Sequence, residues 1–214
     1  APQLSKLVPI FDAGRMGVLL NIGTLVQPTT KAQYEAASVP LPPRLFSHND
    51  QQSVWQASNP EGATSGWGGR MGDLFVSGNG GAIFTAVSVT GNAVYLSGRS
   101  AVQYQLTSSG SIAVQGLGDV FGSSQASQVL RSLITTAPSG DPFEVEHARV
   151  MQRSIEADAT LRAALGAPPA NFPATNLGKQ LAMVARMIAA RDQLSVKRQV
   201  FFVSTGGFDT HDDL

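Results

Sequence analysis

Cysteine is absent from this chain of 214 residues, and charged residues make up only 14% of it. The absence of cysteine excludes disulfide bonds, thiolate metal sites and a cysteine nucleophile. Lysine plus arginine and aspartate plus glutamate balance at 15 each, which removes the basic footprint expected of a nucleic-acid-binding protein. No apolar run reaches the roughly 18 residues of a membrane-spanning helix. The sequence therefore predicts neither a nucleic-acid partner nor a membrane span.

The composition that remains is that of a globular protein. Hydrophobic residues account for 43% of the chain, enough for a substantial core in one domain of this length. The low charge means that the surface relies on serine, threonine, asparagine and glutamine. The chain opens at Ala1 directly into core-like apolar periodicity, without a methionine. We interpret residues 1–214 as a single but incomplete domain of a mature or trimmed chain.

Apolar runs and helical periodicity alternate along the sequence. Strand-like runs lie at 16–22, 82–89 and 199–204, with shorter pieces at 94–96, 102–106 and 111–114. Helical patterns cover 4–13, 31–37, 48–56, 70–75, 124–136, 141–165 and 176–192. Apolar strands that alternate with helices predict an α/β fold with a mixed, mostly parallel sheet sandwiched by helices. Residues 91–118, rich in short strands and turns, predict a small β excursion.

The clearest helical pattern leads directly into the last strand. Leu177, Leu181, Val184 and Ile188 repeat at spacings of four, three and four, which predicts one apolar face of a helix. We expect this face to pack on a sheet that contains 16–22, 82–89 and 199–204.

A carboxylate and an imidazole follow the last predicted strand. The apolar run from Val200 to Val203 breaks at serine, threonine and two glycines, and Asp209 and His211 come next. Ligands of open α/β sheets collect at the carboxyl ends of strands, and two loop residues at this spacing can hold one cation through oxygen and nitrogen. The alternative is an Asx-turn followed by a surface histidine.

Two further residues are candidates for an anion-binding role. His48 lies at a predicted helix start, where backbone amides can hold an anion, although capping is the favoured role for the preceding Ser47. Arg70 ends the glycine-rich run that begins at Gly66, and a guanidinium pairs bidentately with phosphate or sulfate. The alternative, favoured on residue types alone, is a turn in which Trp67 anchors the packing.

Several segments, in the same order, resemble the DUF1501 family, uncharacterised bacterial proteins of the alkaline phosphatase/sulfatase superfamily. The segments are Met16–Gly23 with Leu25–Pro28, Ser47-His48 with Gln52 and Trp55, Gly66–Arg70, Phe172–Leu181 with Ala185-Arg186 and Ile188, and Gly206–His211. The resemblance spans nearly the whole chain. It implies an alkaline-phosphatase-like sheet with divalent cations at strand ends that activate a nucleophile on phosphate or sulfate esters.

The resemblance also assigns roles to the candidate residues. It implies that Asp209 and His211 bind a divalent cation such as zinc, manganese or calcium, and that His48 and Arg70 bind a small anionic ester substrate. Family members often carry a twin-arginine export signal, which implies a periplasmic or extracellular location. They also have an earlier strand ending in an acidic motif and a later Asp-His pair, and neither is found here. We therefore expect this chain to hold the cation weakly or not at all. The alternative function is a non-catalytic secreted or surface-associated binding or structural protein that retains the fold.

Overall fold

A computed structural model describes residues 2–20, 22–59, 62–80 and 82–208 as an α/β protein. Within this part of the chain there are seven α-helices and a mixed four-stranded sheet. The helices are α1 (Val8–Asp12), α2 (Lys31–Glu35), α3 (His48–Ala57), α4 (Trp67–Val76), α5 (Ser124–Thr135), α6 (Pro142–Ala164) and α7 (Asn176–Ala189). The strands are β1 (Ala86–Ser88), β2 (Gln103–Thr107), β3 (Gly110–Ser111) and β4 (Val200–Phe202), and 3-10 helices span Pro2–Leu7 and Val94–Leu96. None of the helices in these ranges combines the length and apolar character that crossing a bilayer requires.

The sheet has the strand order β3-β2-β1-β4. β1 pairs in parallel with both β2 and β4, whereas β3 joins β2 antiparallel. The carboxyl ends of the three parallel strands therefore share one edge of the sheet, and their amino ends share the opposite edge. We call these the carboxyl edge and the amino edge.

The sheet is covered on both faces, as expected for parallel strands that are apolar on both sides. On one face Val87 and Leu106 pack with Leu161 of α6 and with Met183 and Met187 of α7. On the other face a smaller cluster joins Ala86 and Val200 to Leu96 and Ala101, with residues of α4 packed against it. The three layers follow the expected α/β arrangement.

Both covering helices α4 and α7 begin at the carboxyl edge. Trp67, at the start of α4, contacts the Tyr95 ring, which in turn packs on Phe202 at the end of β4. Asn79, just past the end of α4, instead bonds residues that precede β1 and β4. In α7, Gln180 of the second turn bonds Ser204, two residues beyond β4. The amino termini of both helices, whose first N–H groups have no partner within the helix itself, thus face the same edge.

The strand predicted at 16–22 is wrong for the described residues 16–20 and 22, which are irregular. Val18, Leu19 and Leu20 are 56%, 83% and 77% exposed, and Ile22 is 56% exposed. An apolar run identifies a buried strand only when a partner strand and covering helices complete its burial, and the described chain places neither beside this run. The other two strands of the predicted sheet are present, since β1 and β4 lie within 82–89 and 199–204.

Two details of the predicted fold also need correction. In α7 the buried side chains include Met183 and Met187, whereas Leu181 and Ile188 are 39% and 47% exposed. The helix is apolar around much of its circumference, so spacing alone did not identify its core face. Within the predicted β excursion at 91–118, β2 and β3 are strands and join the main sheet, but the strand-like piece at 94–96 is a 3-10 helix.

Candidate functional site at the carboxyl edge of the sheet

The carboxyl edge carries a set of neutral polar side chains where β1 and β4 end. The hydroxyls of Thr90 and Ser204 lie 2.8 Å apart and share a hydrogen bond. The side-chain amide of Gln180 donates to the Ser204 carbonyl at 3.0 Å and accepts from the Ser204 N–H at 2.9 Å. These two bonds join Ser204, two residues after β4, to α7. Gln180 therefore fixes the direction in which the chain leaves the sheet.

A shallow cavity of about 380 Å³ opens beside this link. Its lining includes Thr90, Thr107 and Ser108 from the ends of β1 and β2, and Asn176 and Gln180 from α7. Thr175 caps α7 by accepting from the Gly178 N–H at 3.1 Å. The cavity thus presents hydroxyl and amide groups beside a helix amino terminus, an environment that favours negative charge.

The second helix at this edge, α4, is held by close backbone contact. A Cβ at Gly66 would lie 2.2 Å from the Val94 carbonyl oxygen, and one at Gly69 would lie 2.1 Å from the Ser97 carbonyl carbon. Only glycine permits this approach, which explains the glycine-rich run before Arg70. The Gly66 N–H also donates to the Ser97 carbonyl at 2.9 Å.

Trp67 anchors the packing, as the structural alternative predicted, but it does so on a helix rather than a turn. Its indole N–H donates to the Trp55 carbonyl at 3.0 Å, which ties α4 to α3. Its ring meets Tyr95 edge-on with 4.5 Å between centroids, and burial raises the pKa of the Tyr95 hydroxyl. Segments that carried the family resemblance are therefore neighbours here.

Arg70 lies in the first turn of α4 with an exposed side chain. Its guanidinium turns back to Ser65, donating to the carbonyl at 3.3 Å and to the hydroxyl at 3.4 Å. It forms no ion pair with a carboxylate among the described residues. The Arg70 cation is thus positioned beside the amino terminus of a helix that begins at the carboxyl edge.

His48 is the first residue of α3 and is exposed. Ser47 caps this helix, because its hydroxyl oxygen accepts from the Asp50 N–H at 3.4 Å. The buried Asp50 carboxylate accepts from the Ser47 hydroxyl at 2.7 Å and pairs with Arg44 at 3.3 Å. The capping prediction for Ser47 is confirmed, and a substrate contact by His48 stays a prediction.

Asp209 and His211 lie outside the described residues, so their role as cation ligands also stays a prediction. Phe208, the last described residue, lies six positions beyond the end of β4, and Asp209 is the next residue in the sequence. Within the described ranges no three side chains of histidine, aspartate or glutamate gather into a metal-binding group. The hydroxyls and amides at the carboxyl edge are weak ligands for zinc, so a cation there would depend on Asp209 and His211.

Sequence reasoning missed Thr90, Asn176, Gln180 and Ser204 as residues of this edge. Asn176 and Gln180 lie inside a segment that carries the family resemblance, but no spacing pattern in the sequence predicts a role for either side chain. Ser204 was visible only as the break after the last strand. Comparison of the chain with protein-family models, with curated proteins and with solved structures gave no match in any of the three.

Proposed function

We propose that this chain is part of an exported metal-dependent hydrolase of phosphate or sulfate esters, in the DUF1501 family and with an alkaline-phosphatase-like fold. One observation carries the proposal. β4 runs parallel to β1 and ends at the edge where α4 and α7 begin, and Asp209 and His211 follow β4 in the sequence. Ligand sites of open α/β sheets form at this edge.

The described residues account for substrate binding better than for the reaction step. The Arg70 guanidinium supplies a positive charge for the anionic ester. The amino terminus of α7 adds a favourable dipole beside the Thr90 cavity, and His48 is proposed as a further substrate contact. Gln180 positions the chain that leads to the proposed ligands Asp209 and His211. A bound zinc, manganese or calcium ion would polarise the ester oxygen or activate a nucleophile.

The test is hydrolysis of p-nitrophenyl phosphate and p-nitrophenyl sulfate by the natural polypeptide that carries this sequence. The protein is first dialysed against zinc, manganese or calcium. We expect Asp209→Asn and His211→Gln each to lower kcat/KM at least about 100-fold, because loss of a ligand is more damaging than loss of a residue behind it. Arg70→Met should mainly raise KM.

His147→Gln is the matched control, since His147 is exposed on α6. Its activity should equal that of the wild type. Cation-loaded protein that hydrolyses neither ester, or ligand variants that retain full activity, would contradict the proposal. A secretion assay that finds the natural polypeptide in the cytoplasm would contradict its periplasmic or extracellular location.

One observation favours the alternative, a non-catalytic binding protein. Apolar side chains between residues 4 and 26 are exposed, among them Leu4, Phe11, Leu19 and Leu25. Contiguous exposed apolar surface marks interaction sites. Natural polypeptide that stays metal-free after dialysis against all three cations would favour this function over hydrolysis.

A further inference from the structure

A second cavity, of about 290 Å³, lies at the amino edge, on the face covered by α6. Its wall is largely apolar, with Ile83 before β1, Val102 before β2, and Val150 and Ala157 on α6. The volume lies just below the usual range for small-molecule pockets, about 300–1,000 Å³. The cavity therefore suits a compact and mainly apolar ligand.

Arg153 places one cation in this apolar wall. α6 carries two further arginines, and each pairs with a carboxylate: Arg149 bonds Glu146 at 3.3 Å, and Arg162 bonds Asp158 at 2.9 Å. Arg153 forms no ion pair or hydrogen bond within the described ranges. The arginine that lines the cavity is thus the one on this helix whose charge is not neutralised by a neighbouring carboxylate.

Two carboxylates that interact with lining residues of the cavity, Asp158 with Tyr104 and Asp73 with Ser100, are engaged elsewhere. The Asp158 carboxylate accepts from Arg162 and from the Ser111 hydroxyl. Asp73 accepts from the backbone N–H groups of residues 99–101, which lie beside the cavity. Neither carboxylate needs Arg153 as a partner, so an incoming anion would meet an available guanidinium.

Tyr104 adds a neutral polar group to the lining. Its ring packs edge-on against Phe84 with 5.0 Å between centroids. Burial, with the nearby Asp158 charge, raises the pKa of the Tyr104 hydroxyl to about 12. The hydroxyl therefore keeps its proton at neutral pH and adds no negative charge that would repel an anion.

We propose that this cavity binds a short aliphatic carboxylate, with the carboxylate on Arg153 and the alkyl chain against Ile83, Val102 and Val150. A guanidinium pairs with a carboxylate through two parallel hydrogen bonds, and the apolar wall favours burial of the alkyl chain. The site lies at the edge opposite the proposed hydrolase site and does not depend on that function.

The test is calorimetric titration of the 214-residue chain with hexanoate. Hexanol, which lacks the charge, and inorganic phosphate, which lacks the alkyl chain, are the comparison probes. We expect saturable hexanoate binding, with hexanol and phosphate each at least about tenfold weaker, a difference of about 1.4 kcal/mol. Arg153→Met should weaken hexanoate binding at least about tenfold, and Arg153→Lys should weaken it less because charge is retained.

Arg149→Met is the matched control, because Arg149 lies one turn away on α6 and pairs with Glu146. It should bind hexanoate as the wild type does. The proposal is overturned if the wild type shows no saturable binding, if Arg153→Met binds equally well, or if Arg149→Met loses affinity to the same extent. It is also overturned if phosphate or hexanol binds as tightly as hexanoate. Thermal unfolding of each variant confirms that the folded protein is compared.

Discussion

The two edges of the sheet use their polar residues in different ways. At the amino edge, the Asn79 side chain donates to Thr85 and to the Arg198 carbonyl, and accepts from the N–H groups of Lys197 and Arg198. At the carboxyl edge, hydroxyls and amides line an open cavity beside the start of α7. The Asn79 side chain thus spends its hydrogen bonds on holding the strand starts together, whereas the polar groups at the carboxyl edge border open space.

The largest stability effect should come from the amino edge. Asn79→Ala removes four hydrogen bonds that join α4 to the starts of β1 and β4, so we expect the free energy of unfolding to fall by about 3 kcal/mol. Urea unfolding measures this loss. Ester hydrolysis per folded molecule should not change. Asn171→Ala, at an exposed position without a side-chain hydrogen bond in the described chain, is the control and should be near neutral. If the two variants are equally stable, the Asn79 hydrogen bonds do not stabilise the amino edge and this prediction is wrong.

Gln180→Met tests the carboxyl edge at nearly constant side-chain size. It removes both hydrogen bonds to Ser204, and we expect a loss of about 1–2 kcal/mol in the free energy of unfolding. Unlike Asn79→Ala, it should also lower kcat of ester hydrolysis, because the chain leading to Asp209 loses its position. The exposed Gln193→Met is the control. A Gln180 variant with reduced stability but unchanged kcat would show that this edge, too, is only structural.

Asp73 should make the stability of the amino edge depend on pH. The backbone N–H groups of Arg99 and Ala101 hold the pKa of this carboxyl below its ordinary value. A lowered folded-state pKa stabilises the protein above the unfolded value, about 3.9, and this stabilisation disappears as pH falls through the folded-state pKa. Asp73→Ala should therefore lose about 1–2 kcal/mol at neutral pH.

The difference between wild type and Asp73→Ala should shrink below about pH 4. Unfolding by urea across pH 2–7 measures it. Asp192→Ala, which removes an exposed carboxylate whose one ion pair among the described residues is with the adjacent Arg191, should show no comparable trend. A difference that stays constant with pH would mean that the charge of Asp73 does not hold the 99–101 segment.

The smallest effect is expected from Thr90→Val. This change removes one exposed hydrogen bond, to the Ser204 hydroxyl, so we expect a loss below about 1 kcal/mol. Because the Thr90 hydroxyl lines the carboxyl-edge cavity, the KM for the ester should rise while stability hardly changes. Ser108→Ala at the same cavity offers a second check. A stability loss as large as that of Asn79→Ala would show that Thr90 mainly stabilises the fold.

The two apolar runs 16–22 and 199–204 show what the sequence could predict. Both are apolar over several residues, and the pattern predicted a strand for each. The second run is β4 because β1 lies beside it and helices cover both of its faces. The first run has exposed side chains and no strand partner in the described chain. Periodicity reports which residues can be buried, but the partner that buries them is a tertiary property.

The same limit applies to the candidate site. Capping chemistry is local, so the role of Ser47 followed from its neighbours in the sequence. The link from Gln180 to Ser204 spans 24 positions, and no local pattern could reveal it. The glycines before Arg70 were visible in the sequence, but the 94–98 segment that they approach is evident only in the fold.

The most direct test of the carboxyl-edge site is the cation content of the natural polypeptide at equilibrium. Wild type and the Asp209→Asn/His211→Gln double variant are dialysed against zinc, manganese and calcium in turn, and bound metal is measured by atomic emission. We predict that the wild type retains one of these cations and that the double variant loses it, while His147→Gln retains it. A wild type that stays metal-free, or a double variant that binds as much metal as the wild type, would contradict the proposed site.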